Sequence, residues 1–321
     1  MNTSHITSII KKIIAENVKL THSESVCIVT DTNKLSLAQA FIDEVKQYNS
    51  DPILVTMNPR NQHGSEVPLI ISGAMKAADV VFQIVTHAMT HTDATQEALK
   101  SGSRILVLRG ITDDLMLYGA INANYNEISI ACHKVANLMK DAKLIQLLSP
   151  AGTNLTMSIE NRNPHILDGI VKGPGTFAAM PDGETAISPV ETTTEGLLVI
   201  EHSMDGVGLL DAPIYLTITQ GKVLSIEGKQ SAQKLQNLID QGDANSNNIA
   251  EFAIGTNPKA RLVGNLAEDK KLEGSVHVAI GDNHVLGGTV ISNIHLDGMV
   301  LNPTVHIDNK CIIDNGKLQL D

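Results

Sequence analysis

Between Val26 and Leu108 short apolar runs alternate with segments of helical periodicity, and this alternation restricts the chain to an α/β layer built on a parallel sheet. The runs are V-C-I-V-T (26–30), D-P-I-L-V-T-M (51–57), D-V-V-F-Q-I-V (79–85) and R-I-L-V-L (104–108). Near-continuous apolar runs of this length suit strands covered on both faces. The segments 35–45, 67–78 and 92–102 carry apolar residues at helical spacing, and 112–118 and 127–146 extend the pattern. Ile6, Ile9, Ile10, Ile13 and Ile14 give residues 3–17 the same period, so the N-terminus reads as an amphipathic helix.

The first strand is followed by T-D-T-N, and neither G-x-G-x-x-G nor G-x-x-x-x-G-K-[ST] occurs. These observations predict a Rossmann-like domain over 1–148 without the loops that hold nucleotide phosphates. His87 and His91 have the i, i+4 spacing of metal ligands but lack the accompanying glutamate, and are assigned to the turn after a strand.

Near residue 146 the character changes. L-S-P-A-G-T-N marks a boundary, and beyond it helices become rare. Strands are expected at 155–159, 196–200, 214–219 and 222–226, with a hairpin turn at 219–222 and one helix at 229–241. The turns at 308–310 and 314–316 predict a closing meander. The second domain, 149–321, is therefore read as α+β and mainly antiparallel.

A net charge of −11 argues against nucleic acid or an anionic membrane surface as partner. With no Trp, four Tyr and four Phe there is little material for a stacking platform. Cys27, Cys132 and Cys311 are odd in number, widely spaced and without C-x-x-C. They read as small buried hydrophobes in a reducing compartment. No secretory leader and no apolar run of membrane-spanning length is read, so a cytoplasmic location is expected.

The chemistry concentrates in Glu251–Gly298. This stretch reads E-F-A-I-G-T-N-P, then E-G-S-V-H-V-A-I-G-D-N-H, then G-G-T-V-I-S-N-I-H-L-D-G. Three apolar strands each carry residues foreign to an apolar strand: Glu251, His277, and the pair His295 and Asp297. On a strand, His295 and Asp297 point to one face, with Asn293 beside them, while Ile294 and Leu296 point to the other. Carboxylates and imidazoles converging from neighbouring strands make a divalent-metal site or a hydrogen-bonded His-Asp pair. Glu184, after the Pro-Asp-Gly turn of M-P-D-G-E, is a fifth candidate. Five such donors suit two divalent ions, and two His with one carboxylate suit non-haem Fe(II). His202 and Asp205 fall in a glycine-rich loop, and His306 and Asp308 in the terminal hairpin.

P-D-G-E, A-E-F-A-I-G-T-N-P, G-S-V-H-V-A-I-G and G-G-x-x-x-S-x-I-H-L-D, in this order across 150–321, resemble the thermophilic metallo-aminopeptidase family. The resemblance implies Glu184, Glu251, His277, His295 and Asp297 as metal ligands, with zinc, cobalt or manganese as the ion. It implies hydrolysis of an amide or peptide bond in a short peptide or small molecule, Glu251 as bridging ligand or base, and a homodimer. Two departures stand out. His284 takes the position of the family's catalytic tyrosine, which makes it a candidate acid/base or oxyanion donor with a much lower reference pKa. The stretch between His277 and His295 is also shorter than in the peptidases.

The same superfamily includes the ring-cleaving, Fe(II)-dependent 2,5-dihydroxypyridine 5,6-dioxygenases. That branch places a histidine near the position held here by Glu251, so Glu251 favours the hydrolase set. His277, His295 and Asp297 still offer an iron(II) triad. A third expectation is a catalytically inactive metal-binding relative.

Overall fold

The structure is a computed structural model that describes residues 3–48, 51–62, 64–90 and 92–320. Contacts divide the chain into two compact units, Met1–Tyr125 with Gly169–Asp182, and Asn126–Asp168 with Gly183–Asp321.

The first unit holds a five-stranded parallel sheet in the order Ile53–Met57, Val26–Asp31, Val80–Val85, Arg104–Arg109, Phe177–Ala179. Every residue of Val26–Asp31 and Val80–Val85 is buried, which is why these runs are continuously apolar rather than alternating. Helices Leu35–Val45, Leu69–Ala77 and Asp93–Lys100 follow the expected segments. The hydroxyl of Thr92 accepts from Thr95 N–H and caps the last of them. The winding reverses at Val26–Asp31, where open α/β sheets commonly bind ligands. Here Asp31 is occupied locally. Its carboxylate accepts from Thr86 N–H (2.6 Å), the Thr86 hydroxyl (3.0 Å) and Asn33 N–H (3.0 Å). His87 is half-buried in the turn after Val80–Val85, and His91 lies outside the described residues.

The N-terminal helix, Thr3–Lys12, continues as a π-helical turn over Ile13–Val18, so the expected span is helical throughout. Three expectations are corrected. The helix expected over 127–146 covers Tyr125–Lys140, and Leu144–Leu148 is a strand with alternating exposure. Its ladder to Asn154–Ser158 and Thr304–Ile307 satisfies backbone groups that a longer helix would have satisfied internally. Cys311 is half-exposed rather than buried. The division between units also does not fall at the expected 148/149. Helix Tyr125–Lys140 from Asn126 onward and the strand after it belong to the second unit, and Gly169–Asp182 returns to the first, adding Phe177–Ala179 to its sheet.

The second unit contains two antiparallel sheets among the described residues. One has eight strands, ordered Lys222–Glu227, Ile214–Thr219, Glu195–Ile200, Asn154–Ser158, Leu144–Leu148, Thr304–Ile307, Lys310–Asp314, Lys317–Leu318. The other has seven, ordered Gly208–Leu209, Ser203–Met204, His295–Val300, Val276–Gly281, Ile249–Gly255, Glu184–Ile187, His165–Leu167. The expected hairpin has Gln220 and Gly221 at φ of 49° and 69°, as a two-residue I′ turn requires. Leu155, Leu198 and Leu216 of the larger sheet share one core with Phe252, Ile254, Val278 and Ile280 of the smaller. Each such side chain contributes about 1.5–3 kcal/mol through burial. Gly298 lets the two sheets close together, since a Cβ there would lie 2.6 Å from Ile200 Cδ1. No described helix is long and apolar enough to cross a membrane.

Candidate metal centre

Strand parity assembles the site. In the seven-stranded sheet Glu251 pairs with Ala279, and Ala279 with Asp297, so these three share one face. His277 and His295 each stand two residues from a member of that row and point the same way. Glu184 pairs with Gly255, four residues beyond Glu251, and joins the same face. Phe252, Ile254, Val278, Ile280 and Leu296 occupy the opposite face and anchor it in the core. Small residues at 253 and 279 keep the polar face open between the longer donors.

The five expected donors thus form one buried cluster. Glu184, Glu251 and Asp297 are 2–5% exposed and His277 is fully buried. The side chain of His295 retains 31% exposure and is the accessible member. His277 Nε2 lies 3.2 Å from Glu251 Oε1 and 3.9 Å from Glu184 Oε2. His295 Nε2 lies 3.0 Å from Glu251 Oε2 and 3.2 Å from Asp297 Oδ1. Among the described residues the donors therefore fall into two triads, Glu184–Glu251–His277 and Glu251–His295–Asp297, with ligand atoms in each within 4.8 Å of one another. Glu251 belongs to both and offers one oxygen to each.

Two further residues enter the cluster. Lys270 Nζ donates to Asp297 Oδ2 at 2.8 Å and lies 3.5 Å from Glu184 Oε1. Lys271 Nζ lies 2.7 Å from the same Glu184 oxygen. Both lysines sit in E-D-K-K (268–271), four consecutive charged residues that are all buried. Glu268 is paired with Arg261, and Asp269 accepts from the Ser203 hydroxyl at 2.7 Å. His202 Nε2 stands 3.5 Å from Asp269, so the loop expected at His202 borders this charged segment. A run of four charged residues reads in sequence as a solvated face, and only the flanking Leu266 and Leu272 hint otherwise.

The electrostatics follow from these contacts. Burial opposes ionisation of Glu184, but the ammonium groups of Lys270 and Lys271 hold its pKa below the ordinary carboxylate value. Burial likewise opposes charge on Asp297, and Lys270, His277 and His295 outweigh it, placing that carboxyl well below its usual range. Glu251 is desolvated too, yet its hydrogen bonds to His277 and His295 lower its pKa. Burial disfavours the imidazolium of His295, but Asp297 and Glu251 raise its pKa well above the usual histidine value. All three carboxyls are therefore anionic near neutral pH.

The donor set fits a divalent cation. Glu184 Oε2 and Asp297 Oδ1 are buried and accept no hydrogen bond, although the other oxygen of each carboxylate is held by lysine. Orphaned anionic oxygens are costly unless a cation meets them. His295 Nδ1 donates to the Asp282 carbonyl at 2.8 Å, which leaves Nε2 as the ligating nitrogen. His284 is not part of the cluster. It opens a short exposed turn, His284–Leu286, and its backbone N–H donates to Asp282 Oδ1 at 3.1 Å. Asn293 precedes its strand, and its side-chain oxygen accepts from Asp243 N–H.

Comparison with known proteins places this arrangement in context. The P. putida KT2440 2,5-dihydroxypyridine dioxygenase superimposes with a TM-score of 0.83 at 18% identity, covering 99% of this chain and 98% of that one. Wild-type AmpT from Thermus thermophilus superimposes with a TM-score of 0.75 at 14% identity, covering 98% and 99%. At these identities the likeness is one of fold, and it supports the expected combination of a parallel α/β layer with an antiparallel α+β unit. No curated protein matches the chain. The family profile of NicX, 2,5-dihydroxypyridine 5,6-dioxygenase, matches residues 7–320. On that match over nearly its whole length, the chain belongs to the NicX family.

Proposed function

We propose that this protein is a metal-dependent hydrolase acting on an amide or peptide bond in a small molecule or short peptide. The observation that carries the reading is Glu251, which offers one oxygen to each of two triads while Glu184 and Asp297 each bury an oxygen that accepts no hydrogen bond. A carboxylate-rich set of this kind suits zinc, cobalt or manganese. When bound, such an ion supplies Lewis acidity and lowers the pKa of a coordinated water. Glu251, Asp297 and His295 would hold it, with Glu184 and His277 completing the set. The depressed pKa of Glu251 suits a ligand better than a proton acceptor, since a general base works best near the operating pH. Half-buried His295 marks the side from which substrate reaches the cluster. His284, on the turn after the His277 strand, is the candidate to pass a proton to the leaving nitrogen.

A second reading, ring cleavage by an Fe(II) dioxygenase, draws on the family match over 7–320. It would use His277, His295 and Asp297 as the iron ligands. Against it, His277 and His295 fall in different triads, each centred on Glu251.

The deciding experiment is metal analysis of protein purified without chelators, paired with two assays. Zinc, cobalt or manganese together with turnover of a leucyl chromogenic amide is the expected result. Iron together with oxygen uptake on 2,5-dihydroxypyridine overturns the hydrolase reading in favour of the second.

A further inference from the structure

We infer, on the reading that the cluster binds metal, that Asp243 is a positioning residue of the centre. From the loop ahead of the Glu251 strand it clamps the segment that enters the His295 strand, and so sets His295 against Glu251.

The need for a clamp follows from where the two donors stand. Ile249–Gly255 and His295–Val300 are not neighbours, since Val276–Gly281 runs between them. His295 is the first residue of its strand, and its pair with Gly281 is the last of that ladder. The ladder on the other side of Val276–Gly281 shifts register between Ile249 and Glu251. Strand ends fray, and a shifted register leaves the local pairing irregular. The 3.0 Å approach of His295 Nε2 to Glu251 Oε2 therefore needs support from outside the ladder.

The segment G-D-A-N-S-N-N (242–248) supplies it. Asp243 Oδ2 accepts from Asn293 N–H at 2.6 Å, and its Oδ1 accepts from the Ser292 hydroxyl at 3.0 Å. The Asp243 N–H donates back to the Asn293 side-chain oxygen at 3.2 Å. The Asn245 amide donates to the Ile291 carbonyl at 2.9 Å, and the Asn248 amide to the Gly281 carbonyl at 3.0 Å. One leader segment thus grips both ends of the connection from 281 to 293. Asp243 is itself held, because its Oδ1 also accepts from Asn245 N–H at 2.8 Å. That N–H, with those of Asn293 and the Ser292 hydroxyl, keeps its pKa below the ordinary carboxylate value. A solvated turn carboxylate needs only donors of its own loop, whereas Asp243 takes two from 49 and 50 residues away.

The grip reaches the ring of His295 through Asp282. Ser292 N–H donates to Asp282 Oδ2 at 3.0 Å, and Asp282 N–H to the Ile294 carbonyl at 2.8 Å. The Asp282 carbonyl in turn accepts from His295 Nδ1–H at 2.8 Å, which aims Nε2 at Glu251. A carbonyl behind an imidazole orients the ring only as well as the carbonyl is itself fixed. Asp243 is exposed and hydrogen-bonds to none of the five donors, so its influence on the centre passes through His295.

The test is a double-mutant cycle on Zn²⁺ affinity, measured on metal-stripped, full-length protein by competition with chelators of graded strength. Asp243→Ala is expected to weaken Zn²⁺ binding at least about tenfold. The same loss is expected in a His277→Ala background. In a His295→Ala background Asp243→Ala is expected to cost less than about twofold, because the ring it positions is gone. Circular dichroism verifies that each variant folds. If Asp243→Ala does not fold, Asp243→Asn replaces it in the same cycle, with at least about threefold weakening expected. A folded Asp243 variant that binds Zn²⁺ as wild type does, or an equal loss in both histidine backgrounds, overturns the inference and leaves the hydrolase reading standing. The expected cycle without amide turnover by the metal-loaded wild type overturns the hydrolase reading and leaves the inference standing. No Zn²⁺ bound by wild type overturns both the inference and the metal reading beneath it.

Discussion

The two triads around Glu251 are built from the same residue types, yet they differ in preparation. Glu184–Glu251–His277 is fully enclosed, its outer carboxylate is held by two ammonium groups, and the distal nitrogen of its imidazole has no partner. Glu251–His295–Asp297 is open on the His295 side, its outer carboxylate carries one ammonium, and its imidazole is oriented by a backbone carbonyl. Matching ligands therefore do not make matching sites. Counter-charge and the groups behind the ligands determine which carboxylate oxygen is available and which ring is aimed.

The largest effect is expected where the triads join. Glu251→Gln removes the shared anion, and metal content should fall to background with turnover at least about a thousandfold lower. Plasma mass spectrometry and the amide assay check this together. Next come the paired histidines. His295→Ala should weaken metal binding at least about a hundredfold and His277→Ala about tenfold or less, as read by competition with a fluorescent chelator. Equal losses would erase the contrast drawn between the triads.

A smaller effect is expected at the support behind the open side. Glu191 accepts from Thr289 N–H at 2.7 Å and from the Asn283 amide at 3.0 Å, and pairs with Arg162, which also donates to the Gly287 carbonyl. It thereby ties down the turn after the His277 strand. Burial opposes its charge, yet these donors lower its pKa to about 2. A carboxyl depressed in the folded state stabilises fully above its unfolded value of 4.5, and that contribution is lost as pH falls from there through about 2. Glu191→Gln should cost about 1–2 kcal/mol at pH 7. In urea melts the gap between variant and wild type should close as the pH is lowered towards 2. The smallest effect belongs to His284→Ala, with metal content unchanged and kcat reduced less than about tenfold.

The donors were legible because a strand has a period of two. Once His295 and Asp297 are placed on a strand, their common face follows. Apolar Ile294, Leu296, Val278 and Phe252 then fix which side is the core. Glu184 was readable only beside the other four donors, since a carboxylate after a Pro-Asp-Gly turn is ordinarily solvated, and the family resemblance then gave it a ligand role. Lys270 and Lys271 were not readable. Their burial depends on partners far apart in the chain, Glu184 and Asp297, and no local pattern encodes that distance. The fold was legible for a similar reason: continuous apolar runs and hairpin turns are local signals. Phe177–Ala179 was not, because three residues carry too little pattern to mark a strand that crosses back to the parallel sheet.

Gly255 has no Cβ, and one built there would stand 2.1 Å from the Leu272 carbonyl oxygen. The segment after Lys271 therefore lies directly on the strand that carries Glu251, held by Gly274 N–H to the Gly255 carbonyl at 3.0 Å. The donors stand on ladder strands, whereas the ammonium groups that compete for them are delivered by a connecting loop. A scaffold divided this way can change reactivity by exchanging one loop while its ladder stays constant. Related chains of this architecture could thus diverge in metal dependence through the 261–274 segment alone, and that segment is the natural place to redesign the centre.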